Sequence, residues 1–228
     1  MTSTPATAVF RKDTPGVFRA IAFDRFPWLE HGFGNRMAGC WVGQEPVATL
    51  QQVHSATVLR SDGHSGCLGA GDALITSTPG VWMAVRTADC VPVILADPVH
   101  RAAAVIHSGW RGTAARITLR ALDRLGADAG TEPGDAWAAI GPAIGPCCYE
   151  VGPEVAAEFA DWFPEWNSSA RQLDLEETIF RQLRSAGVPA GQIVRGAGCT
   201  RCRADEFHSF RRDKDAAGRM WTAVRIRP

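Results

Sequence analysis

The chain has 228 residues in which 24 Lys+Arg balance 24 Asp+Glu, a length that suits one domain with its own core and a charge with no cationic excess for a nucleic-acid backbone. Seven Cys make an odd count behind an N-terminus, MTSTPATAVFRKDTPG, that lacks the apolar stretch of a secretion signal. That combination predicts free thiols in a reducing, cytoplasmic setting. Apolar runs such as Val91 to Ala96 fall far short of the roughly 20 residues that span a bilayer, so no membrane role is expected.

Residues 1–16 are expected to form a loose tail on a single domain that takes in 1–228. Val17 to Phe23 and Val47 to Leu50 are short β-type stretches, and Val53 to Leu59 continues that character around His54. Between them HGFGNRMAG, residues 31 to 39, has the glycines of a tight turn. Strand patterns follow at Val81 to Val85, Val91 to Ala96 and Ala102 to Ile106, broken by RTAD and DPVHR, and are expected to be neighbours in a largely buried sheet. Thr113 can cap a helix to about Leu125, with Ile117, Ala121, Leu122 and Leu125 on one side and Arg116, Arg120 and Arg124 on another. Ala136 to Ile140 is a further strand, and the turn GPAIGPCCYEVG leads into a helix opened by Pro153 and running towards Phe163. Leu173 to Ala186 makes a third helix, while Gln192 to Val194 and Met220 to Ile226 are strands. Strands come in runs without regular alternation with helices. The pattern predicts an α+β fold, a single-domain layered α/β sandwich with a mixed β-sheet flanked by helices.

Three segments place a metal-type ligand beside a turn: QQVHSA with His54, RTADC with Cys90 and VIHSGWRG with His107. Two imidazoles and a thiolate form a soft donor set that suits Zn2+ with a fourth position open, although each residue alone also serves as an ordinary buried or loop residue. Asp89 adjoins Cys90 and could orient a ligand imidazole or act as acid/base. Gly109, Trp110 and Gly112 form a turn before a helix N-terminus, where Arg111 adds an anion-binding fork. Asn35 and Arg36 offer donors for phosphate, sugar or a heterocycle edge. FHSFRRD, residues 207 to 213, combines Phe207 and Phe210 with Arg211 and Arg212, a mixture that suits a nucleobase as well as a core-facing strand. Only Lys12 and Lys214 are lysines, so nearly all positive charge sits on guanidinium groups. The pair Cys199 and Cys202 is set aside as a metal or redox site. It has no second Cys-x-x-Cys, and adjacent Cys147 and Cys148 look poorly disposed to complete a tetrahedron. No phosphate-binding lysine loop, dinucleotide fingerprint or nucleophile elbow is present.

The segments HGFGNR, QQVHSATV, GDALIT, VRTADCVPVILAD, VIHSGWRG, AAIGPAIGPCCYEVG, GCTRC and FHSFRRD, in this order, resemble the bacterial laccase-domain, or YfiH-like, family from about His31 to the C-terminus. The resemblance implies zinc ligation by His54, Cys90 and His107. It further implies action on purine nucleosides: phosphorolysis of adenosine, inosine, guanosine or methylthioadenosine, and deamination of adenosine. Purine nucleoside and phosphate would then be the small-molecule partners, with Asn35, Arg36, Arg111 and Phe210 as substrate-binding candidates and His54, Cys90, His107 and Asp89 as the catalytic set. The family name brings a different reaction, copper-dependent oxidation of phenols. Six His are too few for a single copper plus a three-copper cluster, although one Cu2+ could occupy the same trio. A third reading makes Cys90 the nucleophile of a cysteine hydrolase with His107 as base.

Overall fold

The structure is a computed structural model and describes residues 9–13, 16–163 and 171–228. Its strands form two mixed sheets. One has the order β1 (Phe10–Asp13), β2 (Val17–Ala20), β3 (Leu29–Gly34), β13 (Met220–Ile226), β8 (Trp82–Thr87), β4 (Val47–Gln51), β6 (Gly66–Ala70). It is antiparallel from β1 to β8 and parallel where β4 joins β8 and β6. The other has the order β12 (Ile193–Val194), β11 (Trp137–Ile140), β9 (Val91–Asp97), β10 (Ala102–Ser108), β7 (Ala73–Thr76), β5 (Val58–Arg60). Its centre is antiparallel and both outer pairs are parallel. The helices are α1 (Trp110–Ala114), α2 (Ile117–Ala129), α3 (Pro153–Ala157), α4 (Leu175–Ser185) and α5 (Phe210–Asp213).

Alternation along β9 and β10 explains the layering. Val91, Val93, Leu95, Ala104 and Ile106 face a core shared with Ile117, Leu122 and Leu125 of α2 and Ile179 and Leu183 of α4. Ile94, Ala96, Ala103 and Val105 face the other sheet, meeting Phe33, Met83, Val85 and Val224. Both strands are buried on both faces, which is why their sequences read as continuous apolar runs rather than alternating ones. A smaller cluster of Val42, Trp82, Ala84 and Ala223 with Trp41 and Trp221 covers the outer side of the first sheet. The α+β sandwich expected from sequence is therefore present, with two mixed sheets in place of one.

Several local expectations change. Phe10–Asp13 is a strand paired with Val17–Ala20, so the expected loose tail does not extend over those residues; residues 1–8 and 14–15 lie outside the described ones. Leu29–Gly34 is a strand, not the start of a glycine turn. Gly32 and Gly34 are required there because a Cβ would lie 2.4 Å from Val17 Cγ1 and 2.8 Å from Trp41 Cδ1, respectively. β8 and β9 are not neighbours, because the chain changes sheet at Ala88–Cys90. The helix expected from Thr113 is two helices broken at Arg116, whose φ is +60°, although the buried face of Ile117, Ala121, Leu122 and Leu125 is as expected.

The chain crosses between the sheets on going from β4 to β5, from β6 to β7 and from β8 to β9. These crossings carry, respectively, His54, Asp72 and the pair Asp89 and Cys90.

Candidate functional site

Asp72 organises the site from the shortest of these crossings. Its carboxylate accepts from the backbone amides of Val53 (3.3 Å), His54 (3.0 Å) and Ser55 (2.6 Å) and from Ser55 Oγ (2.8 Å). It also accepts from His107 Nδ1 at 2.8 Å. The amide bonds hold His54 at φ +58°, a conformation few non-glycine residues adopt, and the ring bond leaves His107 Nε2 as that imidazole's free nitrogen. Burial alone would raise the Asp72 carboxyl, but His107 and then Ser55 outweigh it and bring it down to about 2.

His54, Cys90 and His107 each offer a ligand atom, and these atoms all lie within 4.8 Å of one another. The two rings meet edge to face with centroids 4.9 Å apart. Burial works to raise the Cys90 thiol, yet hydrogen bonds from His107 and then His54 lower it to about 6. Burial works to lower His107, yet Asp72 and then Cys90 raise it to about 9. Gly109 closes over the group: a Cβ there would sit 3.0 Å from both Cys90 Sγ and His54 Cδ2. A thiolate, two imidazoles, one of them held by Asp72, and a glycine left bare beside them make a donor set that fits a soft metal ion.

The trio opens into a cavity of about 790 Å3. Trp110, Tyr149 and Phe210 give it aromatic surface, while Arg86, Arg211, Lys214 and Arg219 give it positive charge. Among the described residues, none of these four cations makes a salt bridge with a carboxylate. Arg211 instead bonds the carbonyl of Glu150 (3.0 Å) and lies over the Tyr149 ring, and Arg219 bonds the carbonyls of Ala217 (2.8 Å) and Gly218 (3.1 Å). The hydroxyl of Thr87, also in the wall, is buried and has no hydrogen-bond partner among the described residues. Burial, then the charge of Cys90, pushes Tyr149 up to about 12, so it remains a hydrogen-bond donor.

Other sequence candidates fall differently. Phe210 lines the cavity as expected. Asp89 is in the wall at φ +86°, but its oxygens accept from Thr200 Oγ1 (2.6 Å) and the Arg211 amide (2.6 Å). It fixes the α5 segment and orients no imidazole; Asp72 does that. Asn35 is buried and accepts from the amides of Met37 (2.9 Å) and Ala38 (3.2 Å), and Arg36 bonds the carbonyl of Ala204, so both serve local structure outside this wall. Arg111 is exposed and stacks on Trp110, 4.2 Å from the ring centre, supporting the wall from outside. Sequence reasoning missed Asp72, Arg86, Tyr149 and Arg219. GDALIT was visible as a motif, but only the fold brings its Asp to a His 35 residues away.

A second cluster overturns another expectation. Cys147, Cys148, Cys199 and Cys202 converge with all four sulfurs within 4.8 Å of one another, and all seven cysteines are free. The four remaining histidines are dispersed: His31 accepts from the Ala20 amide (3.0 Å), His64 bonds the Ser61 carbonyl (3.2 Å), His100 bonds Asp97 (2.8 Å) and the His208 ring lies against Gly218. No histidine cluster of the kind a three-copper centre needs occurs among the described residues.

A family model described as multi-copper polyphenol oxidoreductase laccase matches residues 35–227. A protein of Deinococcus radiodurans named purine nucleoside phosphorylase is 39% identical over 184 residues, covering 79% of this chain and 70% of that protein. A protein named as an adenosine deaminase, from an unknown prokaryotic organism, is 34% identical over 200 residues, covering 80% of this chain and 76% of its own length. The crystal structure of YlmD from Geobacillus stearothermophilus superposes with a TM-score of 0.85 at 28% identity, covering 96% of this chain and 99% of that one.

Proposed function

The chain belongs to the multi-copper polyphenol oxidoreductase laccase family, and on that premise we propose that it is a zinc-dependent purine nucleoside phosphorylase with accompanying adenosine deaminase activity. The observation that carries this reading is the cavity itself, which sets four cations, without carboxylate partners among the described residues, and three aromatic rings around a His/Cys/His trio. Phosphorolysis joins a dianion to a nucleoside, so it needs charge for the phosphate and flat apolar surface for the base in one enclosure. Arg86, Arg211, Lys214 and Arg219 supply the charge, replacing the expected Arg36 and Arg111. Trp110, Tyr149 and Phe210 offer faces for the purine, and the Tyr149 hydroxyl and the Thr87 hydroxyl offer hydrogen bonds to base or sugar.

In the reaction a phosphate oxygen bonds to the sugar C1′ as the C1′–N9 bond breaks. The bonding pair leaves with the purine, which takes up a proton, and ribose 1-phosphate remains. Holding phosphate beside C1′ is the work of the cations, because proximity removes much of the barrier of a bimolecular step. A zinc ion held by His54, Cys90 and His107 would supply a Lewis acid and activate water near neutral pH, the chemistry that deamination at purine C6 requires. Asp72 keeps His107 in the tautomer that presents Nε2, and Gly109 leaves the space beside Cys90 clear. The same donor set suits a single copper ion, while the dispersed remaining histidines weigh against multicopper oxidation. Seven free thiols are consistent with a reducing, cytoplasmic setting, and among the described residues no helix is long and apolar enough to cross a membrane.

One observation favours a second reading: Asp72, His107 and Cys90 are linked in the order of an acid, base and thiol nucleophile. Metal-replete protein should be incubated with adenosine or inosine, with and without phosphate, and the products separated by chromatography. Ribose 1-phosphate and free base formed only with phosphate, with inosine accumulating from adenosine, are expected. Neither product, or oxidation of a phenol by the copper-loaded protein alone, contradicts the reading. Hydrolysis that survives chelation would favour the thiol nucleophile.

A further inference from the structure

The four-cysteine cluster lies outside the cavity, and nothing in the proposed reaction uses it. It is assembled by two loops distant in sequence. The first follows β11 and turns at Gly145, whose carbonyl accepts from the amides of Cys148 (2.9 Å) and Tyr149 (3.0 Å). That turn carries both adjacent cysteines to the same sulfur: Cys202 Sγ lies 3.6 Å from Cys147 Sγ and 3.4 Å from Cys148 Sγ. The second loop is fastened to the first by a bridge between Ala143 and Cys199 and by the Thr200 amide on the Ala143 carbonyl (2.9 Å). The Gly145 amide donates to Cys199 Sγ at 3.3 Å. An amide pointing at the first sulfur of a Cys-x-x-Cys turn favours a thiolate there.

We propose that Cys147, Cys148, Cys199 and Cys202 form a structural zinc site that is separate from the His54, Cys90 and His107 trio. Four sulfurs at about 2.3 Å from a tetrahedral ion stand about 3.8 Å apart; the separations of 3.4 and 3.6 Å fall just short of that value and no pair is beyond 4.8 Å, so small shifts bring the four to a tetrahedron. The chemistry is also selective: four thiolates without oxygen or nitrogen donors take a soft, tetrahedral cation. Binding displaces the thiol protons to solvent and leaves a net charge of −2. Arg201 and Arg203 flank Cys202 in sequence, and Arg212 Nη1 reaches the carbonyls of Thr200 (3.0 Å) and Arg201 (3.2 Å).

The site would act as a clamp on the cavity wall. Tyr149, next to Cys148, lines the cavity, and Thr200, between Cys199 and Cys202, holds Asp89 and through it the start of α5. Joining the loops through a metal fixes both walls, as closing a long loop would, and does so without a disulfide.

Metal content and X-ray absorption of the purified full chain test this. His54→Ala protein, with the cysteine cluster intact, is expected to keep about one zinc whose absorption spectrum shows only sulfur neighbours, at about 2.3 Å. Cys199→Ser/Cys202→Ser is expected to lose that equivalent, to melt at lower temperature and to show a raised KM for the nucleoside. The sulfur-only equivalent is expected whether or not the three-ligand site proves to hold zinc, so the two assignments fail separately. His54→Ala protein with no metal, with iron in place of zinc, with nitrogen in the zinc shell, or with a disulfide to Cys202 by mass would overturn the proposal. The His54→Ala spectrum decides it even if the double variant does not fold.

Discussion

Asp72 shows what a single side chain can organise when it is buried at a crossing between sheets. Five hydrogen bonds converge on its carboxylate, four from the His54 loop and one from His107. Asp72→Asn keeps the volume but cannot accept on both atoms, so metal affinity should fall by about 10- to 100-fold with the far-ultraviolet spectrum unchanged; a competition titration with a chromophoric chelator measures it, and unchanged affinity would contradict the role. Two other residues set the acid side of the stability profile in opposite directions. Burial, then Arg19, lowers His31 from 6.5 to about 3, and burial, then Asp174, raises Glu176 from 4.5 to about 7. Between about pH 4.5 and 6.5 the unfolded chain therefore binds a proton at His31 that the folded chain lacks, and the folded chain holds one at Glu176 that the unfolded chain has lost. The first makes stability rise with pH and the second makes it fall, each by up to about 1.4 kcal/mol per pH unit. His31→Gln should tilt the urea midpoint downward with rising pH across this window relative to wild type, and Glu176→Gln should tilt it upward. Parallel profiles for all three proteins would refute both assignments. The candidate trio was legible in the sequence because His54, Cys90 and His107 each sit beside a turn, whereas Asp72, though within the visible GDALIT motif, carried no mark of the His107 it would meet.

The short helix α1 shows why element boundaries near the site were harder to read. The apolar spacing of Ile117, Ala121, Leu122 and Leu125 identified the buried face of α2, but no Gly or Pro announces the break at Arg116. Tertiary contacts explain it: a Cβ on Gly112 would lie 3.1 Å from the Ser55 carbonyl, and Gln182 Nε2 donates to the Thr113 carbonyl at 2.9 Å. α1 is thus held against the His54 loop and α4 rather than continuing into α2. Gly109 precedes it at φ −76°, a value open to any residue, so Gly109→Ala carries no backbone strain. The added methyl would meet Cys90 Sγ and His54 Cδ2 at 3.0 Å. Overpacking at this buried position should cost about 1–3 kcal/mol of stability while nucleoside cleavage drops by about 10- to 100-fold in protein that is still folded, as unfolding curves and initial rates together would reveal. Wild-type activity in this variant would show that the space beside the sulfur is not needed. β3 was misread for a related reason. Its glycines make room for Val17 and Trp41, and that packing has no signature in the segment itself.

On the scale of the whole molecule, two sheets and one helical layer place the chemistry at the crossings between sheets. Strand-type stretches and the α+β class could be read from the chain, because β9 and β10 are long apolar runs and the helices carry periodic faces. Which strand belongs to which sheet could not, since β8 and β9 look alike in sequence and only three residues, Ala88 to Cys90, separate them. That short crossing puts Cys90 beside His107, and the crossings before β5 and β7 add His54 and Asp72. The resulting trio sits at the wall of a cavity that brings aromatic rings and cationic side chains together. The cavity is proposed to transfer the ribosyl group of a purine nucleoside to phosphate, with Cys90 as an indispensable ligand. Phosphorus NMR of inosine and phosphate with wild-type and Cys90→Ser protein measures it directly. Ribose 1-phosphate is expected from the wild type, with the rate lowered about a thousandfold or more in the variant at unchanged circular dichroism. Equal rates in the two proteins, or consumption of inosine without formation of ribose 1-phosphate, would contradict it.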